Sequence, residues 1–244
     1  MNKRSFFYGI GVGPGGYGLI PYTAYEALKE ADIILSPKGK DASESIAKLC
    51  LKGLAIPETK FQTIIYNMDT EPDSLKEHYN SLAQNILKEL DQNKIVAYLT
   101  LGDSLTYSTY SYTLQSLLKF RPNMLFKTFP GITSYNAIAS YFNFPIGQGK
   151  ERVLILPCPD DKINLQVDIE SHDLVILMKI GFRMPMVIDL LKEMNIAKHC
   201  VFASRLGLPD EFTCDDVSKI DSSKNLDYFS TMLIRKNKPR FTED

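Results

Sequence analysis

The residues best suited to chemistry stand at three glycine-bearing breaks: Gly11-Val-Gly-Pro-Gly-Gly16, Gly102-Asp-Ser104 and Phe129-Pro-Gly-Ile-Thr-Ser134. Each follows an apolar run with the composition of a buried strand and precedes a helical pattern. A strand that ends in Gly-Asp-Ser before a helix puts backbone N–H groups and one carboxylate at the carboxyl edge of a sheet. In open α/β sheets that edge is where ligands sit. Asp103 or Ser104 would cap the next helix, as would Thr133 or Ser134 at the third break. A cap at that edge also lies beside the ligand, so the two roles are compatible. The three breaks are read as walls of one cleft.

The first break matches the dinucleotide fingerprint G-x-G-x-x-G letter for letter. That fingerprint needs its third glycine inside the first turn of a helix, under the pyrophosphate. Here Pro14 interrupts, and Pro21 marks a helix start several residues later. An acidic residue should close the second strand. Ser36-Pro-Lys38 stands there instead, which would suit only a phosphorylated ribose. A tight turn that needs positive φ is the plain alternative for such a glycine cluster.

The elements that must position these loops alternate. Strands are expected at Phe6–Val12, Asp32–Leu35 (stopped by Ser36-Pro37), Phe61–Tyr66, Ile95–Leu101 and Met124–Phe129. Helices are expected from Pro21, at Ser43–Leu51, Asp73–Leu90, Thr106–Phe120 and Ser134–Phe142. This alternation predicts a mostly parallel sheet covered on both faces. Phe144-Pro-Ile-Gly-Gln-Gly-Lys-Glu151 has linker composition, so the domains are drawn as 1–145 and 150–244. The second half reads as strands at 152–156, 174–180, 201–204, 211–214 and 228–234, with one helix at 185–194. Its later strands follow closely, which predicts antiparallel pairing and a mixed sheet. The fold class is α/β in two α/β domains.

Bulk properties exclude several classes. The 244 residues are 44% apolar and 23% charged, as in a globular protein with a substantial core. A formal net charge of −1 gives no electrostatic case for nucleic acid. No apolar run is long enough to span a membrane. The stretch after Met1-Asn-Lys-Arg-Ser is too short and glycine-interrupted for a signal peptide. Cys50, Cys158, Cys200 and Cys214 form no CxxC pair. Reduced thiols, a cytoplasmic location and no metal site are expected. His78, His172 and His199 are scattered and suggest no catalytic role.

Taken together and in order, Val12-Gly-Pro-Gly15, Thr100-Leu-Gly-Asp103 with Tyr107-Ser-Thr109, and Phe129-Pro-Gly-Ile-Thr-Ser134 resemble the signature loops of the tetrapyrrole (corrin/porphyrin) methylases. These are S-adenosylmethionine-dependent enzymes of corrin and sirohaem synthesis. The likeness runs from Phe7 to Ile234. Phe7-Tyr-Gly-Ile-Gly-Val12, Ala31-Asp-Ile-Ile-Leu-Ser-Pro-Lys38, Gly102-Asp-Ser-Leu-Thr-Tyr-Ser-Thr109 and Gly149-Lys-Glu-Arg-Val-Leu-Ile-Leu-Pro157 resemble most the branch that methylates C20 of precorrin-2 or cobalt-factor II. The family usually continues its first Gly-Pro-Gly with Asp-Pro and closes the loop with Leu-Thr; this chain has Gly16-Tyr17 and Ile20-Pro21.

The resemblance implies two α/β domains with S-adenosyl-L-methionine in the cleft between them, a tetrapyrrole substrate and a homodimer. It implies cofactor contacts from Gly102, Asp103, Ser104, Thr106, Thr133, Ser134, Met178, Leu206, Gly207, Thr231 and Met232. Gly13, Pro14, Gly15, Lys38 and Arg205 are implied on the substrate side. Lys40, Lys150, Arg152, Lys179 and Arg183 are further basic candidates for a carboxylate-fringed macrocycle. Methyl transfer from a sulfonium to a meso carbon disperses charge, so alignment and water exclusion matter most. A base must take the C20 proton. Asp103 is the best-placed carboxylate, with cofactor positioning its stronger role; Tyr107 and Tyr17 follow. The alternatives are a ring methylase acting at another carbon, an NADP-dependent oxidoreductase, and a tetrapyrrole-binding protein without turnover.

Overall fold

The computed structural model describes residues 5–66, 71–221 and 227–237. The chain forms two compact units, Met1–Thr133 and Ser134–Asp244.

The first unit is built on β1 (Phe6–Gly11), β2 (Ile33–Gly39), β3 (Phe61–Tyr66), β4 (Ile95–Thr100) and β5 (Phe126–Phe129). They form one sheet in the order β3-β2-β4-β1-β5, every pairing parallel. Helices α1 (Tyr22–Glu30), α2 (Ile46–Leu49), α3 (Pro72–Asp91) and α4 (Thr109–Phe120) connect them. All six residues of β4 are buried, as a strand covered on both faces requires. Val96 and Tyr98 pack with Ile86 and Leu90 of α3 and with Tyr110 and Leu117 of α4. The chain leaves β1 toward β2 on one side of the sheet and leaves β4 toward β5 on the other. The order therefore reverses at the β4–β1 pair, the position where open sheets carry their ligand crevice.

Two boundaries differ from expectation for identifiable reasons. β2 continues through Ser36-Pro37 to Gly39. It pairs with β4 only as far as Leu35, and Pro37, which has no N–H, lies where β2 pairs with β3 alone. α4 begins at Thr109 rather than Thr106, because Tyr107 is left-handed at φ +49° and interrupts the helical path.

The second unit contains α5 (Ser134–Tyr141), β6 (Val153–Pro157), α6 (Lys162–Ser171), β7 (Leu174–Met178), α7 (Met184–Glu193), β8 (Cys200–Ser204), β9 (Phe212–Cys214) and β10 (Ser230–Arg235). The sheet order is β6-β7-β10-β8-β9; β6 and β7 are parallel and the other pairs antiparallel. Side chains alternate between its faces. Val175, Leu177, Phe202 and Met232 pack under α6 and α7, while Leu174, Ile176, Val201 and Leu233 pack against Ile138 and Phe144. That second packing places α5 and the stretch after it inside this unit. The division falls between Thr133 and Ser134, ahead of the linker composition at 144–151. Helix α6 has no counterpart in the sequence reading: only Leu165 and Ile169 of it are buried, and Ile163 and Val167 face solvent. Its one clear signal is Asp161, whose carboxylate accepts from the N–H of Ile163 and of Asn164 at 2.6 and 3.2 Å.

The 144–151 segment is anchored by Arg235, whose side chain is 3% exposed. Its guanidinium donates to both Glu151 oxygens at 2.9 Å and to the Pro145 carbonyl at 2.7 and 3.2 Å. Glu151→Ala leaves that buried charge without its carboxylate and lowers stability by about 3–5 kcal/mol, read as a fall in the urea midpoint. Glu58→Ala breaks the exposed Lys48–Glu58 pair and costs less than about 1 kcal/mol in the same titration.

Candidate active site

In the first unit the parallel register brings the three glycine breaks to one edge. Gly11 stands opposite Thr100, and Ile10 opposite Phe129. The loops are joined there by backbone. Gly102 N–H donates to the Gly13 carbonyl at 2.8 Å, Gly13 N–H to the Gly102 carbonyl at 3.2 Å, and Val12 N–H to the Thr100 carbonyl at 3.0 Å. Gly13 and Gly102 both have positive φ, +82° and +75°, a conformation that glycine adopts without strain. Gly131 closes the group. A Cβ at Gly131 would lie 2.0 Å from the Gly102 carbonyl oxygen and 2.8 Å from the Gly11 Cα.

Asp103 ties the second break to the third. Its Oδ2 accepts from Gly131 N–H at 3.0 Å; its Oδ1 accepts from Leu105 N–H at 2.9 Å and from the Thr106 hydroxyl at 3.0 Å. Ser104 is buried and donates to the Phe129 carbonyl at 3.0 Å. The Ser108 hydroxyl donates in turn to the Ser104 carbonyl. Thr133 is buried, whereas Leu105 and Tyr107 are exposed. Thr100, which the sequence reading passed over, ends β4 with a buried hydroxyl that has no hydrogen-bond partner among the described residues. Pro14 and Gly15 are buried beside Gly13, and Tyr17 is exposed. Gly16 precedes only a single 3-10 turn, Tyr17–Leu19, and helix α1 starts at Tyr22 with Pro21 before it, so no α-helix N-terminus rests on Gly11–Gly16. The dinucleotide geometry is not formed.

In the second unit the register aligns another group. Thr231 pairs with Met178 on one side and Ala203 on the other, and Ser230 pairs with Ser204. Ser134, the first residue of α5, lies 3.0 Å from Thr231, hydroxyl to hydroxyl. Leu206 and Gly207 follow Arg205, the first residue after β8, with Gly207 at φ +74° and its N–H donating to Glu211 at 2.6 Å. Met232 is buried among the side chains under α6 and α7, so its main chain is the part that shares this edge.

The basic candidates separate by position. Lys38 donates to the Ala42 carbonyl at 2.7 Å, closing its own loop. Arg205, left-handed at φ +53°, donates to the Pro209 carbonyl at 2.9 Å and pairs with Asp227 at 3.0 Å. Lys40 is exposed in the turn after β2. Lys150 and Arg152 precede β6, at the end of that strand remote from Met178. Lys179 and Arg183 follow β7 directly, on the Met178 side. The histidines are not among the residues grouped at either edge: His78 packs on Tyr66 with its buried Nε2 unpaired among the described residues, His172 faces the Asp168 carbonyl and His199 the Lys236 carbonyl. Burial raises the thiols of Cys50 to about 12 and Cys158 to about 11, which keeps them neutral and unreactive at pH 7.

Two α/β units, one with a parallel sheet whose loops converge on a glycine-lined edge, define a small-molecule-binding protein of the α/β class. The chain belongs to the Tetrapyrrole (Corrin/Porphyrin) Methylases, whose family profile matches residues 7–219. It is 30% identical to a protein of Methanocaldococcus jannaschii named probable cobalt-precorrin-2 C(20)-methyltransferase, over 98% of this chain and 100% of that one. It is 26% identical to the cobalt-precorrin-2 C(20)-methyltransferase of Salmonella typhimurium, over 97% and 98%. The fold is also that of the uroporphyrin-III C-methyltransferase of Thermus thermophilus, solved with S-adenosylhomocysteine (TM-score 0.61, 15% identity, 94% and 96% covered).

The backbone contact at the glycine edge gives a direct test. Gly131→Ala forces a methyl group against the Gly102 carbonyl and weakens S-adenosylhomocysteine binding at least tenfold by calorimetry. Gly18→Ala, where a Cβ meets nothing within 4 Å, leaves binding unchanged.

Proposed function

We propose that this chain transfers a methyl group from S-adenosyl-L-methionine to the C20 meso carbon of precorrin-2 or cobalt-factor II, a step of cobalamin biosynthesis. The observation that carries the proposal is the near-complete alignment, in both directions, with two proteins named for that reaction. A cytoplasmic homodimer is part of the same reading.

The donor would supply a methyl group activated on a sulfonium. The chain's own residues supply placement. In the first unit we assign the donor to Gly102, Asp103, Ser104, Thr106 and Thr133. The fit rests on a bare backbone at Gly102, where a Cβ would meet only the Ile132 carbonyl, at 3.8 Å. In the second unit we assign contacts to Ser134, Met178, Leu206, Gly207, Thr231 and the main chain of Met232. Gly13, Pro14, Gly15, Lys38 and Arg205 are assigned to the macrocycle; Lys38 and Arg205 also close their own loops, on the Ala42 and Pro209 carbonyls. Tyr107 presents an exposed phenol beside the central loop and is the candidate to hold the departing C20 proton.

Asp103 is a positioning residue in this scheme, because both its oxygens already accept hydrogen bonds. Asp103→Asn replaces one acceptor oxygen by a donor amide. Losing a charge-assisted bond of this kind costs about 1.5–3 kcal/mol, so S-adenosylhomocysteine affinity falls roughly tenfold or more while the pH profile of kcat keeps its shape. Unchanged affinity with a lost basic limb would make Asp103 the base instead.

The reaction itself is tested with methyl-labelled donor and cobalt-factor II or precorrin-2. The expected product carries one new methyl group and lacks the C20 proton by NMR. Methylation at another carbon, or retention of NADPH in place of S-adenosylhomocysteine, overturns the proposal. Light scattering should give twice the chain mass.

A further inference from the structure

At the Met178 end of the second unit's sheet, the basic candidates Lys179 and Arg183 stand among exposed aromatic rings that no assignment above uses. Phe182 is 74% exposed, in a single 3-10 turn, Gly181–Arg183, that follows β7. The guanidinium carbon of Arg183 lies 4.4 Å from the Phe182 ring centre. Lys179 Nζ lies 5.7 Å from the ring centre of Tyr228, which is itself exposed and edge-on to exposed Phe229. Two hydrogen bonds hold the turn to the start of β10: Lys179 N–H donates to the Ser230 carbonyl at 2.9 Å, and Gly181 N–H to the Ser230 hydroxyl at 3.3 Å. Lys179 and Gly181 are both left-handed, at φ +58° and +49°.

Phe182, Tyr228 and Phe229 put three exposed rings at one end of the sheet on a held backbone, with Gly181 packed against the Tyr228 main chain, and grouped exposed apolar surface marks a ligand face. Cations set over aromatic rings narrow its chemistry. A conjugated plane stacks on the ring, and carboxylates on its fringe meet the cations. The geometry points to Phe182, with Arg183 and Lys179, as a recognition platform for a flat macrocycle fringed with carboxylates. This deepens the reading of the same site and rests on it. Arg183 Nε already donates to Asp160, a carboxylate that is 78% exposed. The Arg183 side chain is itself only 21% exposed, so it is held in place, and the guanidinium has further N–H donors for a ligand carboxylate. The platform makes no claim on the methyl donor.

That separation sets the experiment. Phe182→Ala and Arg183→Gln are compared with the wild-type chain in steady-state turnover of cobalt-factor II, alongside calorimetry with S-adenosylhomocysteine. Phe182→Ala raises the KM for the macrocycle roughly tenfold, in the range of one lost aromatic anchor. Arg183→Gln raises it and flattens its dependence on ionic strength. In both variants S-adenosylhomocysteine affinity stays at the wild-type value; the thermal midpoint is also unchanged in Phe182→Ala, because Phe182 is largely in water already, while Arg183→Gln loses its pair with Asp160 and melts slightly lower. Unchanged KM in both variants, with active wild-type protein, overturns the platform and leaves the proposed reaction standing. A wild-type chain that binds S-adenosylhomocysteine but turns over no corrinoid precursor sinks the reaction, and the platform with it.

Discussion

Three strand ends of the first unit meet backbone to backbone, and no side chain fits between them. A Cβ at Gly11 would lie 2.5 Å from the Gly131 nitrogen, and one at Gly131 would lie 2.0 Å from the Gly102 carbonyl oxygen. Contacts that short lie inside van der Waals range, so Gly11 and Gly131 must lack a side chain; at Gly102 the positive φ of +75° is what favours glycine. Neither Gly11 nor Gly131 has positive φ, so the demand there is purely steric. Once the backbones touch, the loops cannot drift apart. The Asp103 carboxylate then reaches Gly131 N–H across the gap and fixes the third loop against the second. The result is an edge made mostly of main chain, which suits the proposed donor if its recognition needs shape and hydrogen bonds rather than a catalytic side chain.

Beneath that edge lies a buried hydroxyl network. Tyr66 and Tyr98 share a 2.9 Å hydrogen bond, Tyr98 reaches Thr109 at 2.8 Å, and Tyr110 reaches Thr128 at 2.7 Å. Burial raises the pKa of all three tyrosines, Tyr98 most, so they stay neutral and act as both donors and acceptors. Thr109 is the first residue of α4. The network therefore bonds the start of α4 to β4 two residues before Thr100, and so sets where the 102–108 loop must return. A satisfied buried network of this kind is costly to break. The glycine at position 9 belongs to the same arrangement, since a Cβ there would lie 2.1 Å from Tyr110 Cζ.

What could be seen in the sequence follows from the range of the forces involved. β3 and α3 have strong local periodicity and lie at, or within a residue of, their expected ends. The meeting of three loops at one edge follows from strand–helix alternation alone, because parallel strands send all their carboxyl ends the same way. Harder to see were features decided by residues far apart in the chain. Arg205 meets Asp227 and Arg235 meets Glu151, and no local pattern announces either pair. Helix α5 belongs to the second unit because Ile138 finds Leu174 and Leu233, although its nearest neighbour in sequence is the third glycine break. The two buried positions of α6 are too few to give a helical stripe.

The backbone also marks where function has a cost. Among the described residues, Asn93, Asn143 and Asn195 have positive φ, and each lies two residues beyond the end of a helix. Asparagine tolerates that conformation, and helix termination explains it. Tyr107, Lys179 and Arg205 have positive φ as well, and no helix end accounts for them. Lys179 and Arg205 come directly after β7 and β8, and Tyr107 lies in the loop after β4. A left-handed residue with a bulky side chain costs about 1–2 kcal/mol. In Lys179-Ile-Gly181 and Arg205-Leu-Gly207 a left-handed glycine follows two positions later, so the chain folds back sharply at both strand ends. Asp210, at φ +62° between β8 and β9, is the one other case away from a helix end, and aspartate tolerates that conformation. The strain at Tyr107, Lys179 and Arg205 thus falls at the strand ends to which the proposed contacts are assigned.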